Sequence, residues 1–355
     1  MKNLQDLFGI ELPIIQAPMA GVQVGALAAA CSQAGALGSL PCAMLAPDSM
    51  RSEIAVIRQG TAKPFNVNFF CHVPPPADPA REAAWRKSLA RYYDEFGIDP
   101  ATIPAGPGRA PFTPEAADVL EGLKPAVVSF HFGLPPEALV ARVKSWGTRV
   151  ISSATTVEEA RWLEARGVDA VIAQGLEAGG HRGHFLSEDL TTQVGTFALL
   201  PQVVRAVKIP VIAAGGIADA RGVAAAMALG AAGVQVGTAF MLCPEATTSA
   251  IHRAALKSDA ARHTALTNLF TGRPARGIVN RVIREMGPIN GAVPAFPLAT
   301  AAIGPLRAKA EAGASGDFSP LWSGQNPQGC REVPAAAVVA ELAAGLQSGG
   351  SKWNS

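Results

Sequence analysis

The segment at residues 173–183, with the sequence AQGLEAGGHRG, holds the residue types best suited to chemistry in this chain. Its closely spaced glycines exclude a helix interior and predict a loop that lets a ligand approach the backbone closely. His181 lies just beyond Gly179 and Gly180. Because an imidazole titrates near neutral pH, it can donate a hydrogen bond, accept one or remove a proton. We therefore predict that His181 is catalytic, the alternative being a hydrogen-bonded structural histidine.

His131, in the sequence SFHFG, is a second candidate for the site. It ends an apolar, β-branched run and is either a second residue of the pocket or a structural histidine. His184 is interpreted as a neighbour of the site. The remaining histidines are expected on the surface or in loops, namely His72, His252 and His263.

Two glycine turns predict a place for a phosphate. Gly215 and Gly216 follow one apolar run, and Gly237 and Thr238 follow the next. Backbone N–H groups in such turns, with a helix N-terminus behind them, form an anion site. Neither turn contains Lys or Arg, so the phosphate is expected to be held by amides and the Thr238 hydroxyl. The alternative is that these glycines only turn the chain.

Side-chain amides occur in or at the ends of predicted strands. Asn68 ends one strand, with Asn66 on the same face, while Gln174 ends another and Gln235 lies inside a third. An amide offers both a donor and an acceptor, which suits the uracil-like edge of a flavin isoalloxazine. A flavin bound there would direct its phosphate to the glycine turns. The alternative is that neighbouring backbone groups satisfy these amides.

Eight short apolar runs predict the strands that carry these residues. They are residues 13–17, 37–40, 65–70, 126–132, 149–153, 170–174, 210–214 and 233–237. Helical segments are predicted at 24–33, 48–58, 136–146, 157–166, 197–207 and 219–229. The runs are apolar on both faces, which is typical of a parallel sheet covered by helices. Eight such units favour a (β/α)₈ TIM barrel over an open doubly wound sheet, with the active site at the carboxyl ends of the strands.

Two regions fall outside the repeat, so we predict three parts of the chain. Residues 1–243 form the barrel that would bind the flavin, with a Pro-rich insertion after the third strand at about 71–124 and a helix near 81–96. Residues 244–349 form a helical extension that caps the barrel mouth, with helical patterns at 247–256, 299–312 and 334–346. Residues 350–355 form a frayed tail.

The composition excludes several classes of protein. Hydrophobic residues make up 49% and charged residues 16% of the chain, and the net charge is +2, which argues against nucleic acid or an anionic membrane as partner. The uncharged run at 222–243 is interrupted by Gly230, Gly233 and Gly237, which argues against a membrane span. The N-terminal residues lack a secretory pattern, and the five cysteines lack CxxC spacing. Free thiols, no metal site and a cytoplasmic location are therefore expected.

Six motifs together resemble the nitronate monooxygenase family, called 2-nitropropane dioxygenases in older usage. They are PIIQAPMAG, FNVNFF, SFHFGLP, AQGLEAGGHRG, IPVIAAGGI and GVQVGTAF. SFHFGLP with EAGGHRG is similar to the class that oxidises nitronates without requiring a reduced nicotinamide. The sequence LWSGQ at 321–325 also resembles a family element near the flavin.

The resemblance implies non-covalent FMN and the oxidation of alkyl nitronates, of the propionate 3-nitronate type, by O₂ to a carbonyl compound and nitrite. It implies that His181 is catalytic and that His131 is a second pocket residue. Members of the class can place tyrosines in the pocket, whereas Tyr92 and Tyr93 of this chain lie in the insertion. The predicted cofactor contacts are Ala17, Met19, Asn68, Gln174, Gly179, Gly180, Gly215, Gly216, Gln235, Val236, Gly237 and Thr238.

The expected partners are a small nitronate and O₂, with a homodimer as a candidate assembly. Two other enzymes on this scaffold stay open: an FMN-dependent enoyl-[acyl-carrier-protein] reductase, which has an EAGGH-type loop, and an NADH:quinone reductase. A non-catalytic flavin carrier is a different class, and the histidine loop argues against it. A relative of inosine-monophosphate dehydrogenase needs a nucleophilic cysteine after the sixth strand, and the loop there has none.

Overall fold

The computed structural model describes residues 3–103 and 109–347 and is built around a parallel β-barrel. The strands of the described residues are β1 Ile14–Gln16, β2 Gly38–Pro41, β3 Phe65–Phe70, β4 Val127–His131, β5 Arg149–Ala154, β6 Ala170–Gln174, β7 Gly180–His181, β8 Val211–Ala214, β9 Gly233–Val236, β10 Thr264–Thr267 and β11 Ala275–Ile278. Eight of them form one sheet in the order β1-β9-β8-β6-β5-β4-β3-β2.

The two ends of this sheet meet. The Leu37 amide donates to the Ile14 carbonyl over 2.8 Å, and the Gln16 amide donates to the Leu37 carbonyl over 3.0 Å. All pairings within the sheet are parallel, as a barrel built from strand–helix units requires. The prediction of a (β/α)₈ TIM barrel is therefore confirmed.

Helices cover the outside of this barrel and also form a cluster apart from it. The helices of the described residues are α1 Leu4–Phe8, α2 Gly25–Gln33, α3 Pro47–Gly60, α4 Pro79–Ser88, α5 Ala90–Phe96, α6 Pro114–Leu123, α7 Glu137–Ser145, α8 Val157–Ala165, α9 Thr196–Ala206, α10 Ala220–Ala228, α11 Ala250–Lys257, α12 Arg281–Met286, α13 Ala299–Ala312 and α14 Ala335–Gln347. Helices α2, α3, α6–α10 and α14 cover the outside of the barrel, while α4, α5, α12 and α13 pack in a separate buried cluster. The short helix α1 differs in position, because Leu4 and Phe8 pack with Ile15 and Ile212 from the barrel strands in one buried cluster.

The insertion differs from its prediction in two respects. The helix predicted near 81–96 is two helices, α4 and α5, which meet at Leu89. Helix α6 lies inside the range predicted as insertion but packs against α3 and α7, so it is the barrel helix between β3 and β4. The sequence at the start of α6 is typical of a helix N-terminus. The Thr113 hydroxyl caps the helix by accepting from the Ala116 amide, and Pro114 is the first helical residue.

The segment after β9 is not wholly helical, which corrects the prediction for residues 244–349. Strands β10 and β11 form an antiparallel sheet with β7. In this sheet Ala275 lies opposite His181 and Arg276 opposite Gly180. A two-residue strand such as β7 has no periodicity of its own, and only contacts distant in sequence define it.

The last helix belongs to the barrel wall rather than to the cap that was expected there. Helix α14 packs against α10 and α2, and it also contacts β1. This is the place of the eighth helix in a (β/α)₈ barrel, between the last strand and the first. Residues 244–334 are thus an excursion between β9 and its helix. The tail predicted to be frayed, 350–355, lies outside the described residues.

Within residues 3–103 and 109–347, no helix is both long and apolar enough to span a membrane. The uncharged run at 222–243 is divided between α10 and β9. All five cysteines carry free thiols, as predicted.

Candidate active site

A cavity opens at the carboxyl ends of the barrel strands, and nearly all the predicted site residues line it. Those that do are Ala17, Met19, Asn68, His131, Gln174, Gly179, Gly180, His181, Gly215, Gly216, Gln235, Gly237 and Thr238. Val236 does not line the cavity and is only 1% exposed, in the core. Alternate residues of a strand face opposite sides, so Gln235 and Gly237 reach the cavity while Val236 packs against the helices.

His181 is held by strand pairing and by one side chain. Its Nε2 atom lies 2.9 Å from the Thr271 hydroxyl oxygen, while its Nδ1 atom bonds to no described residue. A hydroxyl can donate or accept, so Thr271 supports either neutral tautomer of the imidazole. The free Nδ1 atom can therefore either accept a proton or donate a hydrogen bond.

The electrostatic surroundings keep His181 neutral. Burial lowers the pKa of His181 well below its usual value, and the positive charge of Arg109 lowers it further. A histidine with a depressed pKa stays unprotonated at neutral pH, which is the form a general base needs.

Four aromatic rings surround the His181 imidazole. Ring centroids of Phe296, Trp322, Phe70 and Phe132 lie 5.4, 5.7, 6.0 and 6.0 Å from it. Phe132 has a φ of 70°, a strained conformation for a side chain of this size. The sequence motif SFHFG contains this residue, but the strain at Phe132 follows only from the structure.

His131 has both ring nitrogens engaged. Its Nε2–H donates to the His181 carbonyl over 3.2 Å, because a carbonyl only accepts. Its Nδ1 atom then accepts from the Ser153 hydroxyl over 3.1 Å. Burial lowers the pKa of His131 to about 3. The geometry makes His131 a support for the backbone of His181 rather than a free proton carrier.

Two of the histidines expected on the surface or in loops are buried. His72 and His252 are 6% and 4% exposed, whereas His263 is exposed as predicted. The His252 Nε2–H donates to the Trp322 carbonyl over 3.0 Å, and burial lowers the pKa of His252 to about 4. His72 lies in the loop after β3, as predicted, but is buried there, with its ring centroid 4.8 Å from that of Phe296. The prediction was wrong for His252, which lies on the buried face of helix α11.

Hydrogen bonds from the side chains of Gln174 and Arg182 hold the loop that carries His181. The Gln174 amide donates to the His181 carbonyl over 3.0 Å and accepts from the Gly183 amide over 2.7 Å. Arg182 is fully buried and donates to the carbonyls of Gln174 and Gly175 over 2.8 and 2.6 Å. These bonds pin both ends of the loop, so Gln174 acts on the loop as well as lining the cavity.

The glycine turns form the opposite end of the cavity. Gly215 and Gly216 have φ values of 111° and 75°, which only glycine adopts easily. The Thr238 hydroxyl accepts from the Gly324 amide over 3.0 Å, so its proton stays available to a ligand. The N-terminus of α10 is already capped by Asp219. A phosphate here would rely on the turns themselves rather than on this helix end.

These residues fit a flavin mononucleotide. The Gln235 Oε1 atom is buried and has no hydrogen-bond partner, so the chain leaves one acceptor for a ligand donor. The Asn68 amide nitrogen donates to the Ser129 hydroxyl oxygen over 2.9 Å. No described residue donates to the Asn68 Oδ1 atom. The free amide oxygens of Asn68 and Gln235 can accept from the donors on the polar edge of a flavin ring. The backbone N–H groups of the glycine turns can bind its phosphate.

Several lining residues were not predicted as site residues. Residues Trp322, Ser323, Gly324 and Asn326 come from or adjoin the LWSGQ element, which the sequence analysis noted without assigning contacts. Arg109 also lines the cavity, and nothing in its Pro-rich surroundings signals this. Tyr92 and Tyr93 lie elsewhere, in a buried cluster with Trp85. Among the described residues, no group of His, Cys, Asp and Glu side chains is arranged to hold a metal ion.

Comparison with known proteins agrees with this geometry. A family model described as nitronate monooxygenase matches residues 1–345. A nitronate monooxygenase of Pseudomonas aeruginosa is 46% identical over 95% of this chain and 96% of its own length. One of Paraburkholderia phytofirmans is 44% identical over 96% of this chain and 94% of its own.

Solved structures show the same similarity. Nitroalkane oxidase from Streptomyces ansochromogenes superposes with a TM-score of 0.88 at 41% identity, covering 98% of both chains. FabK from Thermotoga maritima superposes with a TM-score of 0.70 at 29% identity, covering 98% of this chain and 97% of its own.

Proposed function

The chain belongs to the nitronate monooxygenase family, a family of flavin-dependent oxidoreductases, and we propose that it binds FMN and oxidises alkyl nitronates with O₂ to a carbonyl compound and nitrite. The observation that carries this proposal is the neutral His181, whose free Nδ1 atom lies in a cavity that ends at two glycine turns. The proposed substrates are of the propionate 3-nitronate type.

His181 would orient the substrate and handle its proton. A nitronate is already an anion, so it needs a donor for its oxygens, which the Nδ1–H tautomer supplies when Thr271 donates to Nε2. A neutral nitroalkane needs a base at its α-carbon, which the other tautomer supplies. Positioning by the aromatic rings around His181 would bring the α-carbon into line for either reaction.

The remaining lining residues would hold the cofactor. The turns at Gly215 and Gly237 would take the phosphate together with the Thr238 hydroxyl, and Asn68 and Gln235 would take polar atoms of the ring. Met19 would lie beside the ring. When bound, FMN supplies the electron transfer and the reaction with O₂, while the protein supplies orientation and exclusion of water.

An absorption spectrum of the purified protein tests the cofactor, and an oxygen electrode tests the reaction. We expect a flavin spectrum, release of FMN on denaturation, and O₂ uptake with nitrite release when propionate 3-nitronate is added. Fast NADH oxidation with an enoyl thioester or a quinone, and no O₂ uptake with nitronates, would favour the two reductases instead. Colourless, folded protein that does not take up FMN would refute the proposal.

Location and assembly are parts of the same proposal. We propose a cytoplasmic enzyme, with a homodimer as its assembly. Cell fractionation tests the first, and sedimentation equilibrium of the FMN-loaded protein tests the second.

A further inference from the structure

Arg109 is the only Lys, Arg, Asp or Glu among the described residues that line the cavity. It lies at the end of the insertion, and its guanidinium carbon is 5.7 Å from the centroid of the Phe296 ring. Its Nη1 atom is buried and has no hydrogen-bond partner. A buried hydrogen-bond donor without an acceptor is uncommon in folded proteins. It lowers the stability of the fold unless a ligand accepts the hydrogen bond.

Nothing in the chain supplies a side-chain counterion for Arg109. None of the ion pairs formed by the described residues includes it, and the residues outside the described ranges contain no Asp or Glu. Burial lowers the pKa of Arg109, and the charge of Arg307 lowers it further, so a second cation acts on it. An arginine remains charged under these conditions. The cavity therefore presents one unpaired positive charge.

The position of this charge relative to His181 indicates which part of a substrate it meets. Phe296 contacts both groups, since its ring centroid lies 5.4 Å from that of His181 and 5.7 Å from the Arg109 guanidinium carbon. His181 and Arg109 both line the cavity, so a substrate whose nitronate group lies at the His181 Nδ1 atom can extend its alkyl chain through the cavity toward Arg109.

We propose that Arg109 binds a carboxylate at the end of the substrate opposite the nitronate group, and so selects carboxyalkyl nitronates over simple alkyl nitronates. This inference rests on the proposed function. A guanidinium binds a carboxylate through two parallel charge-assisted hydrogen bonds, which a neutral alkyl end cannot form.

Two variants and two substrates test the proposal. With Arg109→Met we expect kcat/KM for propionate 3-nitronate to fall about 10- to 100-fold, the loss of one or two charge-assisted bonds, while kcat/KM for propyl-1-nitronate changes less than about threefold. Arg307→Met is the matched control, because Arg307 is a nearby cation that does not line the cavity; it should leave both values within about threefold of wild type. Arg109→Lys, which keeps the charge, should retain part of the preference and shows that the site is intact.

Binding of a non-reacting acid separates this proposal from the proposed function. Calorimetric titration with butanoate, and with 1-butanol as the uncharged probe, requires no turnover. We expect butanoate to bind the wild type and to lose most of its affinity in Arg109→Met, with 1-butanol unaffected by the substitution. Absence of nitronate turnover in the wild type would refute the proposed function, and the butanoate result would still decide the role of Arg109. Equal loss with both nitronates, or unchanged butanoate affinity, would overturn the proposal.

Discussion

The Nε2 atom of His131 lies 3.2 Å from the carbonyl oxygen of His181, so the ring of one histidine holds the backbone of the other. The same carbonyl also accepts from the Gln174 amide over 3.0 Å. The two histidines therefore differ in what they can do. Only His181 keeps a ring nitrogen free for a substrate.

Replacing His131 should lower kcat without changing the shape of the pH profile, because His131 does not carry the proton in the reaction. His131→Phe removes both hydrogen bonds and should reduce kcat about 10-fold or more, because the His181 loop loses a support. His131→Gln can still donate to the carbonyl and should recover part of the rate. Steady-state kinetics across pH measures this, and a profile whose shape changes in His131→Phe would assign proton transfer to His131 instead.

Replacing His181 should separate two kinds of substrate. His181→Asn removes the base but keeps a hydrogen-bonding side chain, so turnover of neutral nitroalkanes should be abolished while part of the nitronate activity remains. Oxygen uptake with 1-nitropropane and with its nitronate measures both. Equal loss with the two substrates would exclude the role of His181 as base.

Stability should fall as the pH is lowered through the range in which unfolded histidine titrates. Burial depresses the pKa of His131 to about 3 and of His252 to about 4, so the folded protein resists protonation that the unfolded chain accepts below about 6.5. The unfolded state then binds more protons, and the free energy of unfolding decreases as pH falls from about 6.5 toward 4. Urea midpoints measured at pH 7.5, 6 and 5 test this, and His252→Gln should flatten the decline.

Two adjacent glycines should respond differently to alanine. A Cβ atom at Gly179 would lie 2.5 Å from the Gly324 amide nitrogen, so Gly179→Ala should push the 323–324 backbone away and weaken retention of FMN. A Cβ atom at Gly180 would meet nothing within 4 Å, but its φ of 70° strains any other residue by about 1 kcal/mol. Gly180→Ala should therefore lower thermal stability slightly and keep more bound FMN. Similar FMN loss in both variants would contradict the close approach at Gly179.

Helix α14 should contribute to the stability of the barrel itself. Leu342 is fully buried where α14 packs on the barrel, so Leu342→Ala should lower the free energy of unfolding by about 2–5 kcal/mol. Ala337 is exposed on the same helix, and Ala337→Ser should cost less than about 1 kcal/mol. Urea denaturation of the FMN-loaded protein measures both, and similar effects would contradict the packing of α14.

Local patterns predicted most of the elements that carry the site. β3 and β6 match their predicted bounds, and the loop with His181 follows β6 as expected. The reason is that buried parallel strands are continuous apolar runs and glycines mark turns independently of distant contacts. Residue type and spacing alone therefore predicted His181, Gly215 and Gly237 as residues of one site, and all three line the same cavity.

The features that were missed depend on contacts between distant segments. Arg109 lines the cavity although its described neighbours in sequence do not, and β11 pairs with a two-residue strand about 90 residues earlier. The side chain of Val236 points into the core because alternate residues of a strand face opposite sides, while its predicted contact with the cofactor stays a prediction. A short stretch of sequence contains no signal for such features, because contacts with distant segments determine them.

The placement of α14 has a consequence for how this protein is made. Helices α2 and α10 leave the ribosome before α14, the helix that covers them, so an apolar strip stays exposed until residues 335–347 have been synthesised. Nascent chains that stop before residue 335 would present that strip to chaperones and proteases. Folding of the barrel wall during translation therefore waits for α14.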